Sequence, residues 1–389
     1  MRDFYREAAA HAGELVALRR WFHQNPESSL KEFQTSRRIR EELSQMGIPY
    51  VTAGDTGTIG IIKGKEDQPV LALRADIDAL EITERTGADY SSRHEGLMHA
   101  CGHDAHASAL LVAAKILSAH KDELEGTVKL IFQPAEEVGR GALLMIAANQ
   151  LQDVDAFFGI HVRAQLPVGK IALRSGGVMA GANSLKITVT GESAHGGYPH
   201  LGIDAIAAGA AIVEALQHVV SREIPPTQPA VLSVCQFHAG TRDNIIAREA
   251  KISGTVRFTS EETRNQSAAA VKRIVSHLAA AHRVKAEVEC EYATPILDNS
   301  RELYRVAAAA AKQILPDGVV DFIPQLGTED FGYYGKIAPT FFAFVGSGGS
   351  YPHHHEKFDI DEEALTVSAA LHLAFVSAYF SANAGTAGR

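Results

Sequence analysis

Two hydrophobic rhythms share this chain. Short uninterrupted apolar runs at 58–62, 69–73, 128–132, 157–160 and 341–345 alternate with helical periodicity at 103–120, 139–149, 303–314 and 362–380. Runs that continuous read as strands covered on both faces. Their alternation with helices predicts an α/β domain with a largely parallel sheet flanked by helices. Ahead of them, residues 1–46 read as two helices broken near Asn25-Pro26, with Leu15, Leu18 and Phe22 recurring at helical spacing.

The middle of the chain keeps a different beat. Leu185-Lys186-Ile187-Thr188-Val189-Thr190 alternates apolar and polar at period two, the mark of a strand with one face covered. A helix at 204–222 follows, then strands at 231–237 and 251–258, a helix at 261–282 and a strand at 284–292. That order, β-α-β-β-α-β, is ferredoxin-like. The pattern predicts an α+β domain over 182–294 inserted into a first domain made of 1–181 and 295–389. The tail at 382–389 reads as disordered.

Composition narrows the class. The 389 residues are 46% hydrophobic and 21% charged, enough to bury sizeable cores without disulfides. A net charge of −9 argues against a nucleic-acid or anionic-membrane partner. There is no run of eighteen uncharged apolar residues, so no membrane span is expected. Met1-Arg2-Asp3-Phe4-Tyr5-Arg6-Glu7 lacks the apolar core of a secretory signal. Three widely spaced cysteines, Cys101, Cys235 and Cys290, give no disulfide framework and fit a reducing compartment, so a cytoplasmic location is expected.

The chemistry gathers where predicted strands end. Asp76 and Asp78, the Glu136-Glu137 pair, His161, and the run His353-His354-His355 each follow such a strand. In open α/β sheets ligands bind beyond the carboxyl ends of the strands, so these groups should converge. The densest cluster, Met98-His99-Ala100-Cys101-Gly102-His103-Asp104-Ala105-His106, falls at a helix start, where the helix dipole would favour a thiolate. Thiolate, imidazole and carboxylate are ligands for zinc and related divalent ions, and without a second CxxC pair an open catalytic site is favoured over a closed structural one. The bland alternative is a histidine-rich helix cap. Paired glutamates are usually solvated surface, but a metal hydrolase needs one carboxylate to ligate and another to move protons. Of the three histidines at 353–355, one reads as a ligand.

These segments resemble the aminoacylase/carboxypeptidase-type metallopeptidases, in the branch of hippurate hydrolases, N-acyl-amino-acid amidohydrolases and auxin-conjugate hydrolases. The likeness rests on Leu73-Arg74-Ala75-Asp76-Ile77-Asp78-Ala79-Leu80, on the 98–106 cluster, on Phe132-Gln133-Pro134-Ala135-Glu136-Glu137 and on Gly159-Ile160-His161-Val162. It implies a metallopeptidase-like catalytic domain carrying an inserted lid/dimerisation domain, and a homodimer or homotetramer. It implies two divalent ions per subunit (zinc, manganese, cobalt or nickel), held by Cys101, His103, Glu137, His161 and His354, with Cys101 bridging. His354 is singled out because the family ligand lies four residues before the phenylalanine matched by Phe358. The resemblance makes Glu136 the general base and Asp78 the carboxylate that orients the site. It makes His195, within Ser193-Ala194-His195-Gly196-Gly197, an oxyanion stabiliser, and Asn244 and Arg257 the residues that hold substrate carbonyl and carboxylate. Glu81, Ala247 and Glu356 stand where the family usually has proline. The implied activity is hydrolysis of the amide bond of N-acyl amino acids. A dipeptidase or carboxypeptidase using the same site, and a non-catalytic metal-binding module, are the alternatives.

Overall fold

The computed structural model describes residues 2–384. They form two compact units: a smaller one of Gly177–Leu297 with Pro324–Glu329, and a larger one made of the rest. The smaller unit thus starts earlier than position 182 and takes in a later segment. The reason is non-local, since the Ala180 amide donates to the Gln325 and Gly327 carbonyls at 3.1 and 2.9 Å.

In the larger unit the strands are β1 (Tyr50–Ala53), β2 (Gly57–Lys63), β3 (Val70–Asp76), β4 (Thr127–Gln133), β5 (Ala156–Arg163), β6 (Ile171–Leu173), β13 (Val319–Asp321) and β14 (Thr340–Gly346), while β7 (Gly176–Met179) and β12 (Leu297–Asn299) lie where the chain leaves and re-enters this unit. The sheet order is β1-β2-β4-β3-β5-β14-β6-β13. Four adjacent strands, β4, β3, β5 and β14, run parallel, whereas β1–β2, β2–β4 and β14–β6 pair antiparallel. Every residue of β3, β4 and β14 is buried, as continuous apolar runs require.

Three helices, not two, open the chain: α1 (Phe4–Ala9), α2 (Ala12–Gln24) and α3 (Phe33–Gln45). The break near Asn25-Pro26 is there. The one at Ala10-His11 carries neither glycine nor proline and left no mark in the pattern. The other helices of this unit are α4 (His103–Ala119), α5 (Gly141–Ala147), α8 (Arg301–Ile314) and α9 (Glu363–Ala384). α9 is long and apolar enough to cross a membrane by length and composition, yet most of it is buried against α1, α4 and α8. A helix apolar on all sides belongs in a core. It runs through Ala384, so 382–384 are helical rather than disordered, and 385–389 lie outside the described residues.

The smaller unit contains β8 (Gly181–Thr190), α6 (Ala205–His218), β9 (Ala230–Ala239), β10 (Glu249–Phe258), α7 (Glu261–His282) and β11 (Lys285–Thr294). Its antiparallel sheet has the order β11-β8-β10-β9, the ferredoxin-like arrangement. Leu185, Ile187 and Val189 of β8 and Ile252 and Val256 of β10 meet Ile212 and Leu216 of α6 and Val271 and Val275 of α7 in one core. The Asp204 side chain accepts from the Ile206 and Ala207 amides, and Ser260 from Thr263, so both helices begin on capping side chains.

A buried ion network ties α2 to the start of α4. Arg19 Nε donates to Asp104 Oδ2 at 2.9 Å and Nη2 to Asp359 Oδ1 at 2.7 Å, while His23 Nδ1 meets Asp104 Oδ2 at 2.7 Å and Nε2 meets Glu84 Oε1 at 3.3 Å. Burial opposes charge on both acids. Arg19 and His23 outweigh it at Asp104, which lies far below the usual carboxylate range. At Glu84, His23 and the Ser92 amide bring the carboxyl down to about 2. Arg19→Leu should lower the urea-unfolding free energy at pH 7 by about 3–5 kcal/mol, because it strips a partner from a buried charge. A carboxyl depressed by folding contributes stability above its unfolded value and loses it as pH falls toward its folded value. Unfolding free energy should therefore drop between pH 4.5 and about 2, and Glu84→Gln should flatten part of that drop in acid titrations followed by circular dichroism.

Candidate metal centre

Because β4, β3, β5 and β14 are parallel neighbours, the segments after them emerge at one edge of the sheet. Asp76 ends β3 and Asp78 lies just beyond it, Glu136 and Glu137 lie beyond β4, His161 near the end of β5, and His353 and His354 beyond β14. Cys101 and His103 join from the start of α4. Gly102 between them has φ +91°, and a Cβ there would lie 2.3 Å from Val162 Cγ2. Only glycine fits, and it lets both neighbours face the same place.

Two sets of donors form around one sulfur. The ligand atoms of Cys101, His103 and His161 lie within 4.8 Å of one another, and so do those of Cys101, Glu137 and His354. Cys101 Sγ is 3.5 Å from His161 Nε2, and Glu137 Oε2 is 3.4 Å from His354 Nε2. Glu136 groups with His103 and Glu137 at the same spacing. The five expected ligands and the expected base are thus brought together, and of the three consecutive histidines it is His354 that joins the cluster.

The imidazoles are held by their far nitrogens. His103 Nδ1 lies 2.9 Å from the Asp78 carbonyl and 3.2 Å from Asp78 Oδ1, which turns Nε2 toward Glu137. His161 Nδ1 donates to the Val162 carbonyl at 2.6 Å, leaving Nε2 toward Cys101. Such partners set tautomer and ring orientation in metal sites. Three further residues support the donors: His106 and Arg74, given no role of their own in the sequence reading, and His353, one of the three consecutive histidines. His106 accepts the Val162 amide on Nε2 at 2.9 Å and therefore donates from Nδ1 to Asp76 at 2.6 Å. Arg74 Nη1 donates to the same Asp76 at 2.7 Å, and His353 Nε2 donates to the Val162 carbonyl at 3.1 Å. Their placement within the quoted motifs was the available signal.

The electrostatics fit a cation. Burial, with Glu137 adding to it, pushes the Cys101 thiol well up, so the helix start alone does not produce the expected thiolate. A cation held at Cys101 would supply what is missing. Burial pushes His161 well down, keeping it a neutral donor. At His103 burial opposes protonation, but Asp76, Cys101 and Asp78 raise its pKa well above the usual value. His103 Nε2 and Glu137 Oε1 are buried without a hydrogen-bond partner among the described residues. Each such atom costs about 1–3 kcal/mol unless something satisfies it. Sulfur, imidazole and carboxylate together suit zinc and its first-row neighbours, so the residues present fit a divalent pair.

The remaining predicted residues lie in the smaller unit. His195 Nδ1 accepts the Gly197 amide at 3.0 Å, which leaves the proton of the neutral ring on Nε2. The Asn244 carbonyl accepts the Gly196 amide at 2.8 Å. His195 and Asn244 line one open depression with Arg242 and Ile245. Arg257 sits on β10 opposite Ala182 and Val231, and its Nη1 is buried without a partner among the described residues.

Residues 72–378 match the profile of Peptidase family M20/M25/M40. An N-acetyl-L-cysteine deacetylase of Bacillus subtilis (strain 168) is 40% identical over 353 residues, covering 90% of this chain and 85% of its own length. Thermostable carboxypeptidase 2 of Saccharolobus solfataricus is 38% identical over 369 residues, 92% of this chain and 93% of its own. The crystal structure of a dinuclear metal binding peptidase of the M20 family from Bacillus subtilis superposes with a TM-score of 0.86 at 36% identity, covering 95% of this chain and 98% of that one. With the profile spanning most of its length and relatives this similar, the chain belongs to peptidase family M20/M25/M40 and is a metal-dependent hydrolase of amide bonds.

Proposed function

We propose that the enzyme hydrolyses the amide bond of N-acyl amino acids, with Cys101, His103, Glu137, His161 and His354 as the ligands of two divalent ions and Glu136 as general base. The observation that carries this reading is the pair of donor sets sharing Cys101, with Glu136 beside them. The likeness to a deacetylase of an N-acetyl amino acid supports the substrate class.

Bound at these donors, the divalent pair supplies Lewis acidity toward the scissile carbonyl and toward water. Glu136 takes the proton of the attacking water on a carboxylate oxygen and passes it to the departing amine nitrogen, so it ends as it began. Asp78 keeps His103 Nε2 aimed inward. His195 offers its Nε2 proton, and Asn244 its side-chain amide, to the developing oxyanion. Arg257 pairs with the substrate carboxylate, a role that its unmatched Nη1 supports. Exposed Tyr198, Leu201 and Ile245 around the His195 loop support a homodimer formed through the smaller unit. Three free thiols support a cytoplasmic location. A peptidase using the same donors is the second reading, favoured by the likeness to a carboxypeptidase.

Glu136→Gln should keep its metal content and lose about 10²–10⁴-fold or more in kcat. Near-normal turnover would end the assignment. Chelated enzyme should be inactive and regain activity when zinc, manganese, cobalt or nickel is restored. On a panel of N-acetyl and N-benzoyl amino acids against dipeptides, kcat/KM should be highest for the N-acyl compounds. Faster turnover of dipeptides would give the peptidase reading its place.

A further inference from the structure

We infer that Glu32 is a positioning residue for the Glu136-Glu137 pair: its buried carboxylate holds the left-handed turn at Ala135 from which both glutamates project. The inference deepens the proposed function and rests on its assignment of those two residues.

Glu32 stands at the N-cap of α3 but does not cap it. The Gln34 and Thr35 amides at that helix start go instead to the Glu27 carboxylate, at 3.1 and 2.8 Å. Glu32 is fully buried and turned elsewhere. Its Oε1 accepts the amides of Leu30 and Ala135, each at 2.9 Å, and its Oε2 accepts Thr56 Oγ1 at 2.8 Å. Ala135 lies 103 positions away in sequence and has φ +56°.

That backbone region is unfavourable for any residue with a Cβ, and such a residue stays there only when its surroundings hold it. The surroundings here are two carboxylates. Glu32 fixes the Ala135 amide, and Asp78 Oδ2 accepts the Glu137 amide at 3.1 Å. Glu136 hangs between the two anchors. On the far side the turn is closed by the Gly139 amide on the Glu136 carbonyl at 2.7 Å and by the Gly141 amide on the Ala135 carbonyl at 3.0 Å. Without Glu32, Ala135 is free to relax toward negative φ, which swings the peptide ahead of Glu136 and moves both carboxylates.

The test compares Glu32→Leu, Glu32→Asp, Glu32→Gln and the doubles of the first two with Ala135→Gly, all as full-length metal-loaded enzyme. Zinc affinity is read by competition with a chromophoric chelator in the absence of substrate, kcat on an N-acetyl amino acid, and folding by urea titration. Leu removes the acceptor, and Asp is too short to reach both amides. Each should weaken zinc binding and kcat about 10–100-fold. Asp keeps the charge and serves should the Leu variant not fold. Gln keeps an acceptor oxygen for Leu30 and Ala135 and should stay within about threefold of wild type. Glycine takes φ > 0 without penalty, so Ala135→Gly should return at least about tenfold of the lost affinity to the Leu or Asp variant. Unchanged zinc affinity in folded Glu32→Leu and Glu32→Asp, or no recovery in the doubles, overturns the inference. Since zinc binding is read without turnover, an active Glu136→Gln would remove the general base and leave the Glu32 result standing.

Discussion

Five donors from four separate stretches of chain, one of them the buried Cys101 thiol, crowd together, and the rest of the larger unit is organised to make that crowding tolerable. Cys101 belongs to both donor sets, so the two halves of the centre cannot be built independently. Left to themselves, such groups repel, protonate or turn away. What prevents this is a ring of buried carboxylates behind the donors. Asp78 anchors His103 and the Glu137 amide, Asp76 anchors His106, Asp104 ties the start of α4 to Arg19 and His23, and Glu32 holds the turn before Glu136. Each accepts from a donor fixed by the fold, as the second layer of a metal site must.

The parallel sheet decides where this can happen. Four neighbouring parallel strands deliver their ends to one edge, and β3 at the interior of that set carries Arg74 and Asp76, both fully buried. Arg74 reaches Asp76, Gln133 and Asp330, so one guanidinium links the ends of β3 and β4 to a later segment. A buried ionic cluster of this kind contributes little net stability. Its use is geometric, because strand ends joined this way cannot shift separately.

Much of this was legible in the sequence because the donors sit in contiguous motifs directly after apolar runs, and a strand end is a local signal. The ferredoxin-like unit was legible for the same reason, through period-two strands and the β-α-β-β-α-β order of its elements. The rest depended on contacts between distant segments. Short strands such as β6 and β13 are too brief to show a period. Segment 324–329 joins the smaller unit through backbone pairing with Val178 and Ala180, far away in sequence. Glu32 was not picked out, and nothing local distinguishes it from Glu27, whose carboxylate accepts the Gln34 and Thr35 amides at the start of α3. The left-handed turns at Ala135 and His354 carry no glycine to announce them.

The departures from the family's usual prolines fit the same distinction between local pattern and tertiary use. At Ala247 the carbonyl accepts the Ala205 amide at 3.1 Å, and at Glu356 the carbonyl accepts the Arg85 amide at 2.7 Å. A carbonyl is what proline also offers, so the interaction survives the exchange, while the lost φ restraint is offset by anchoring on the start of α6 and on the loop at Arg85. At Glu356 the new side chain adds an ion pair with Arg85 at 3.3 Å, but both groups are exposed, and a pair of that kind stabilises by less than about 1 kcal/mol. None of the three positions belongs to either donor set. The exchanges therefore leave the centre's chemistry to the residues that hold it and alter only the stiffness of the loops that carry them.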